Sequence, residues 1–174
     1  MNVPVLKTER LTLRRHQLDD FEPASAMWAS PEVTRHIGGR PFTQQESWSR
    51  LLRYVGHWEL LGYGFWAVVD TASGRFVGEV GFADFKRELD PPLNAPEMGW
   101  ALAPWAHGRG LATEALTAAL RWGEAHLKAE RVACIIDFGN LASVRVAEKC
   151  GFRPYAETAL GGTPTRLFER RFTR

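Results

Sequence analysis

The chain has 174 residues, enough for one domain with a full hydrophobic core, and its 45% hydrophobic and 24% charged residues are the balance of a soluble globular protein. A formal charge of +2, with Lys and Arg scattered, leaves no electrostatic footprint for nucleic acid, and no apolar run approaches the ~20 residues needed to span a bilayer. The opening MNVPVLKTERLTLRR lacks the apolar stretch of a signal peptide, so the expected compartment is the cytoplasm.

In chain order, RLTLRR alternates as a first strand, and an amphipathic helix fits Asp19 to Ala29, with Pro23 tolerable only in its first turn. Thr43 and Glu46 have the spacing of a capping box, which starts a second helix that runs to about Leu61 and stops at Gly62. GFWAVVD and RFVGEVGFADF, separated by TASG, predict a hairpin, and KRELDPPLNAP predicts a proline-rich loop. EMGWALAP reads as a fourth strand, with Gly99 marking a bulge or a close ligand approach. A long helix over roughly 109–127, a buried strand RVACIIDF and a short helix NLASVRVAEKCG follow, and FRPYAETAL and TRLFERRF form a closing antiparallel pair. This order predicts an α/β (α+β) chain forming one domain over 1–174. Its mixed, mostly antiparallel, twisted sheet has about seven strands with helices on both faces, and the one parallel pair comes from a right-handed crossover.

Cys134 and Cys150 lie too far apart for a metal knuckle or a CxxC pair, and they read as reduced packing residues. The histidines show no HExxH and no paired spacing, so no metal site is expected. Trp66 and Trp100 in strands read as core, whereas Trp28, Trp48 and Trp58 lie on the first two helices and read mainly as packing.

The stretch APWAHGRGLATEAL places Gly108 and Gly110 at the first turn of the long helix, directly after a strand. One reading is a turn that uses glycine only for geometry. The other is a phosphate cradle, because a helix N-terminus presents unpaired N–H groups and glycine lets a ligand approach the backbone. Arg109 can add a charge-assisted contact. GxxxxGK is absent, and Thr113 stands where a dinucleotide fingerprint needs its third glycine, so neither mononucleotide nor dinucleotide binding fits.

EMGWALAPWAHGRGLATEAL together with NLASVRVAEKCGF resembles the GNAT superfamily of N-acetyltransferases, and more narrowly its RimJ/RimL-like, ribosomal-protein branch. The resemblance covers nearly the whole chain, including TERLTLRR and HIGGRPFTQQES, with His107 standing where the family has Gln or Arg. It implies a GNAT-like fold, acetyl-CoA as co-substrate and a primary amine, on a small molecule or a protein N-terminus, as acceptor. It also implies that His107, Gly108, Arg109, Gly110, Leu111, Ala112 and Thr113 surround the pyrophosphate. The pantetheine arm is then expected along Ala101, Leu102 and Ala103, held from the next strand by Asn140.

For the chemistry, Glu97 is the first choice of base, directly or through a water, against an ordinary edge carboxylate; Asp84, Asp137 and His36 are fallbacks. An N–H freed by a bulge near Trp100–Leu102 is expected to stabilise the oxyanion. Ser143 reads equally as the acid or cofactor contact and as a helix-start residue bonded to its own backbone; Tyr155 is the nearest tyrosine. The expected assembly is a monomer or homodimer with no nucleic-acid or membrane partner. The rival reading is an acyl-CoA-binding sensor of the same fold that does not turn over.

Overall fold

A computed structural model describes residues 2–173. It contains a mixed, mostly antiparallel sheet of eight strands in which the order along the sheet is β1-β2-β3-β4-β5-β6-β8-β7. The strand missing from the seven expected is β1 (Leu6–Lys7), too short to show a period, which pairs with β2 (Leu11–Arg14). The predicted hairpin is β3 (Phe65–Asp70) with β4 (Phe76–Ala83), and β5 (Glu97–Leu102) lies antiparallel to β4. After β6 (Arg131–Asp137), the closing hairpin β7 (Arg153–Leu160) and β8 (Thr163–Arg171) turns back so that β8 pairs with β6.

The helices form where local chemistry directs them. α1 (Phe21–Trp28) keeps Pro23 in its first turn, where a missing N–H costs no helical bond, and a short α2 (Pro31–Thr34) follows. α3 (Gln44–Leu61) starts on the capping box: the Glu46 N–H donates to Thr43 Oγ1 at 3.2 Å and the Thr43 N–H donates to Glu46 Oε2 at 2.8 Å. It ends at Gly62 in a left-handed conformation. α4 (Leu111–His126) crosses between β5 and β6, and α5 (Leu141–Lys149) follows β6. No helix among the described residues is long and apolar enough to cross a membrane.

Strand alternation separates two packed faces. Trp66, Val68, Val80, Phe82, Met98 and Leu102 join Leu111, Leu116 and Leu120 of α4 in the main core. Ala67, Phe76 and Ala101 instead meet Ala24, Met27 and Trp28 of α1. Each large side chain fully buried here contributes roughly 1.5–3 kcal/mol. Trp58 of α3 reaches the main core, packing edge-on against Trp66 (4.9 Å) and Trp122 (5.5 Å).

The parallel neighbours β5 and β6 share one pairing, Glu97↔Ala133. β5 nevertheless pairs with β4 from Glu97 through Leu102, and β6 pairs with β8 from Arg131 through Asp137. Beyond Glu97 the two strands therefore part, and a gap joins the face covered by α4 to the face covered by α1 and α3.

The start of α4 is tied to the far edge of the sheet. Thr8 Oγ1 and the Arg10 N–H donate to Glu114 Oε1 at 2.7 and 2.8 Å, and Arg10 Nε donates to Oε2 at 2.7 Å. Burial pushes the Glu114 carboxyl up, but these donors and the Arg10 charge outweigh it and hold it below its ordinary value. A depressed folded-state pKa adds stability that is present above the unfolded value of ~4.3 and lost as pH falls through the folded one. Glu114→Gln is expected to cost about 1–2 kcal/mol at pH 7. In urea denaturation from pH 7 to 3, the gap between variant and wild type should close below the ordinary glutamate pKa; a pH-independent gap would refute the charge assignment.

Candidate active site

Gly108 and Gly110 both adopt positive φ, 71° and 74°, in the left-handed region that favours glycine. Gly110 is the N-cap of α4 and, lacking a side chain, leaves the first-turn amides of Leu111, Ala112 and Thr113 without a side-chain cap. Arg10 Nη1 donates to Arg109 O at 3.0 Å and fixes the loop from below. The Arg109 and Arg75 guanidinium groups lie 5.6 and 4.1 Å from the Trp105 ring, so two cations stand beside the open helix start. Positive side chains, free amides and the helix dipole converge here, which is the requirement for binding a phosphate.

The edge of β5 toward β6 is also open. The Ala103 N–H bonds Val77 O on the β4 side, and Pro96 O accepts from the Ala133 N–H on the β6 side. Alternation turns the N–H and C=O of Met98, Trp100 and Leu102 to this side; the shared Glu97↔Ala133 pairing takes up the Met98 N–H, and the groups from Met98 C=O onward face the gap. Leu102 O lies 2.8 Å from His107 Nε2, so this side chain terminates the free edge. The register of β5 on β4 is continuous, so the bulge expected near Trp100–Leu102 does not form. Gly99 makes room for Phe65, since a Cβ there would lie 2.8 Å from Phe65 Cζ, and it also lines the neighbouring cavity. The open edge comes from parting strands, a long-range property that one glycine could not announce.

A cavity of about 500 Å³ occupies the α1–α3 side of the gap, and Glu97, Trp100, Ala101, Asn140 and Ser143 all line it. Glu97 enters at the last point of β5–β6 pairing, with both carboxylate oxygens engaged by Arg87: Nε to Oε2 at 2.7 Å and Nη2 to Oε1 at 3.0 Å. His36 and Asp137 face the same cavity, with Nδ1 3.5 Å from Oδ2. The Gly139 N–H donates to Asp137 Oδ1 at 2.7 Å and orients that carboxylate. Asn140 caps α5 by accepting the Ser143 N–H at 3.2 Å, which leaves its amide nitrogen free to donate. The Ser143 hydroxyl has no protein partner among the described residues, so the self-bonded reading does not hold. Asp84 lies outside the cavity beside Lys86, and Tyr155 stands on β7 against Arg131; both leave the list of candidates.

Residues 10–153 match the acetyltransferase (GNAT) domain family. The chain belongs to the GNAT family. It is therefore an acyltransferase that uses acetyl-CoA. It is similar to a protein of Bordetella pertussis assigned to the GnaT family of acetyltransferases, at 37% identity over 97% of this chain and 99% of that one, with a TM-score of 0.85. The uncharacterised N-acetyltransferase p20 of Bacillus licheniformis is 26% identical over 85% of this chain and 82% of its own length. A structure of RimL, a ribosomal L7/L12 alpha-N-protein acetyltransferase in complex with coenzyme A, shares the fold at 15% identity and a TM-score of 0.78, covering 97% of this chain and 98% of that one.

In this GNAT chain Cys134 and Cys150 are buried free thiols, and burial pushes both above the ordinary thiol range, away from nucleophilic use. Trp58 and Trp66 are core, Trp48 is partly exposed, and Trp28 and Trp100 line the cavity. Of the charged and phenolic side chains lining the cavity, Arg35, Arg50, Tyr54 and Arg87 escaped sequence reasoning. Arg50 carried a signal, since it lies four residues before Tyr54 on the side of α3 that buries Ser47, Leu51 and Trp58. The α4 cradle gives a direct test. Nothing lies within 4 Å of the position a Gly108 Cβ would take, and only Arg10 Nη2, at 3.6 Å, approaches that of Gly110. Alanine at either site should therefore cost about 1–2 kcal/mol from backbone conformation alone. Thermal melts together with CoA titrations check this: Gly110→Ala should also weaken CoA binding, and unchanged stability would contradict the left-handed assignment.

Proposed function

We propose that this enzyme is an N-acetyltransferase of the RimJ/RimL-like branch, a single acetyltransferase domain over its whole length, that moves the acetyl group of acetyl-CoA directly to a primary amine. One observation carries the reading: an uncapped, glycine-led helix start and an unpaired strand edge meet at a single gap in the sheet. Likeness of fold to a ribosomal-protein N-terminal acetyltransferase supports an amine acceptor.

The amides of Gly110, Leu111, Ala112 and Thr113, with Arg109 beside them, would hold the pyrophosphate. The free edge from Trp100 to the Leu102 N–H would take the pantetheine amides as an added strand, with the Asn140 amide donating from across the gap. When bound, acetyl-CoA supplies an activated thioester carbonyl. The Trp100 N–H, turned to the gap, is the donor for charge developing on that carbonyl oxygen. Holding amine and thioester in one crevice supplies orientation worth ~7–11 kcal/mol.

The amine must lose a proton before it attacks. Glu97 faces the cavity, but both its oxygens are engaged by Arg87. His36 keeps Nε2 free of protein partners and is oriented by Asp137 at Nδ1. The base is therefore assigned to His36, with Asp137 holding the ring and Glu97 fixing Arg87 at the strand junction. Ser143, with its free hydroxyl, is the donor for the departing thiolate.

Thiol release with acetyl-CoA and a panel of primary amines tests the activity; CoA binding without release from any amine would favour the sensor reading. Asn140→Ala should raise the acetyl-CoA KM several-fold, and unchanged acetyl-CoA binding would remove Asn140 from the cofactor site. His36→Ala should lower kcat by about 10²–10⁴ and Glu97→Gln by much less. The reverse order, with CoA binding intact in both, returns the base to Glu97.

A further inference from the structure

Unmatched charge inside a cavity indicates what the cavity is built to hold, because a buried ion without a counter-ion is costly. Arg87 and Glu97 are matched with each other, and Asp137 stands 3.5 Å from the His36 ring that it orients. Arg50 lines the same cavity with no carboxylate at ion-pair distance among the described residues; the charges of Glu79 and Glu97 reach it only from farther off. Its Nη1 donates to the Tyr54 hydroxyl at 3.1 Å, and its Nε and Nη2 are free of protein partners.

The guanidinium is held in place rather than left to swing. Its carbon lies 4.2 Å from the Trp28 ring centre and 5.0 Å from that of Phe42, and these two rings stack at 5.1 Å and 8°. Trp28 is itself pinned, its Nε1 donating to Glu79 Oε2 at 3.1 Å. Glu79 is buried, with its other oxygen toward His16 at 3.5 Å. The surrounding charge is mostly positive. Arg35 lines the cavity, and Arg53 sits 4.4 Å over Phe85, next to Arg87 at 5.0 Å from the same ring. Burial and repulsion from Arg50 and Arg87 push the Arg53 guanidinium below its ordinary range. At this end of the cavity a polycationic acceptor would face Arg35, Arg50, Arg53 and Arg87, whereas a carboxylate finds a rigid fork with two sets of N–H groups to spare.

We propose that Arg50 anchors a carboxylate on the acceptor, so that the substrate is a small amine bearing a carboxylate, of amino-acid type. This rests on the acetyltransferase reading above and narrows it to the small-molecule arm. A planar guanidinium meets a carboxylate through paired N–H···O bonds, a geometry that lysine cannot reproduce.

The test uses the CoA-loaded protein and α-amino acids with small, apolar, aromatic and acidic side chains, each against its α-amide, which differs in charge but keeps the amine. Binding is followed by tryptophan fluorescence, since Trp28 lies against Arg50, and turnover by thiol release. In the wild type at least one acid should bind at least tenfold tighter than its amide, with a matching ratio in kcat/KM. Arg50→Met should reduce the ratio to within about twofold, and Arg50→Lys should retain part of it. An unchanged CoA Kd in both variants shows that they are folded. Equal binding of acids and amides, no binding of any acid at millimolar concentration, or equal loss of both in Arg50→Met overturns the proposal. Faster acetylation of polyamines or peptide amides also overturns it while leaving the acetyltransferase reading standing. Acid-selective binding through Arg50 with no thiol release from any amine supports the anchor and sinks that reading instead.

Discussion

The parting of two parallel strands after a single shared pairing is the constraint on which the site depends. β5 and β6 touch at Glu97 and Ala133, and each is committed along its length to its other neighbour. Held by those ladders, their facing edges diverge beyond the shared pairing. Main-chain groups left open inside a protein are costly unless water or a ligand satisfies them. The edge from Met98 C=O to Leu102 is such a set, and its last carbonyl is met by the His107 side chain rather than by β6. The fold thus supplies an unfilled strand position, and the start of α4 adds a concentration of N–H groups close by.

Charge in the crevice is organised around the same gap. The Arg87–Glu97 pair sits where the strands still touch, and the His36–Asp137 pair sits where β6 ends. Arg50 lies farther out, between the aromatic wall and Tyr54. Complete burial and the charge of Glu79 push the Tyr54 phenol far above its ordinary range, so at neutral pH it is a hydroxyl that accepts from Arg50 rather than a phenolate that neutralises it. That leaves the guanidinium with its full charge and most of its donors.

What could be read from the sequence was what is decided locally. The Thr43–Glu46 box, the stop at Gly62 and the glycines before α4 are each settled within a few residues, and all appear where the spacing places them. Alternation in RLTLRR and apolar, β-rich runs between turn residues elsewhere located seven strands, and β1 escaped because two residues carry no period. Gly99 shows the limit of the method. A strand glycine signals that something comes close, but whether that is a ligand or Phe65 depends on a residue 34 positions away. The pairing of Glu97 with Arg87 was hidden for a similar reason, since Arg87 lies in a proline-rich loop without periodicity. Arg50 was the avoidable omission. An arginine on the buried side of an amphipathic helix is a polar intrusion that the pattern displays.

The two halves of the site differ in the material that builds them, and this explains why one half was legible and the other was not. The donor half is main chain: helix amides, a strand edge and glycines that clear the approach, braced by the Arg10–Glu114 clamp to the edge of the sheet. A cofactor whose pyrophosphate and amides do not vary can be met by backbone, and backbone requirements surface in sequence as glycine at fixed spacing. The acceptor half is side chain, contributed by α1, the segment after α2, α3 and the loop before β5. Its chemistry is set by which charges remain unmatched once the internal pairs have formed. That can be settled only after the pairs are known, so the identity of the acceptor is carried by a remainder, the free guanidinium of Arg50, rather than by any motif.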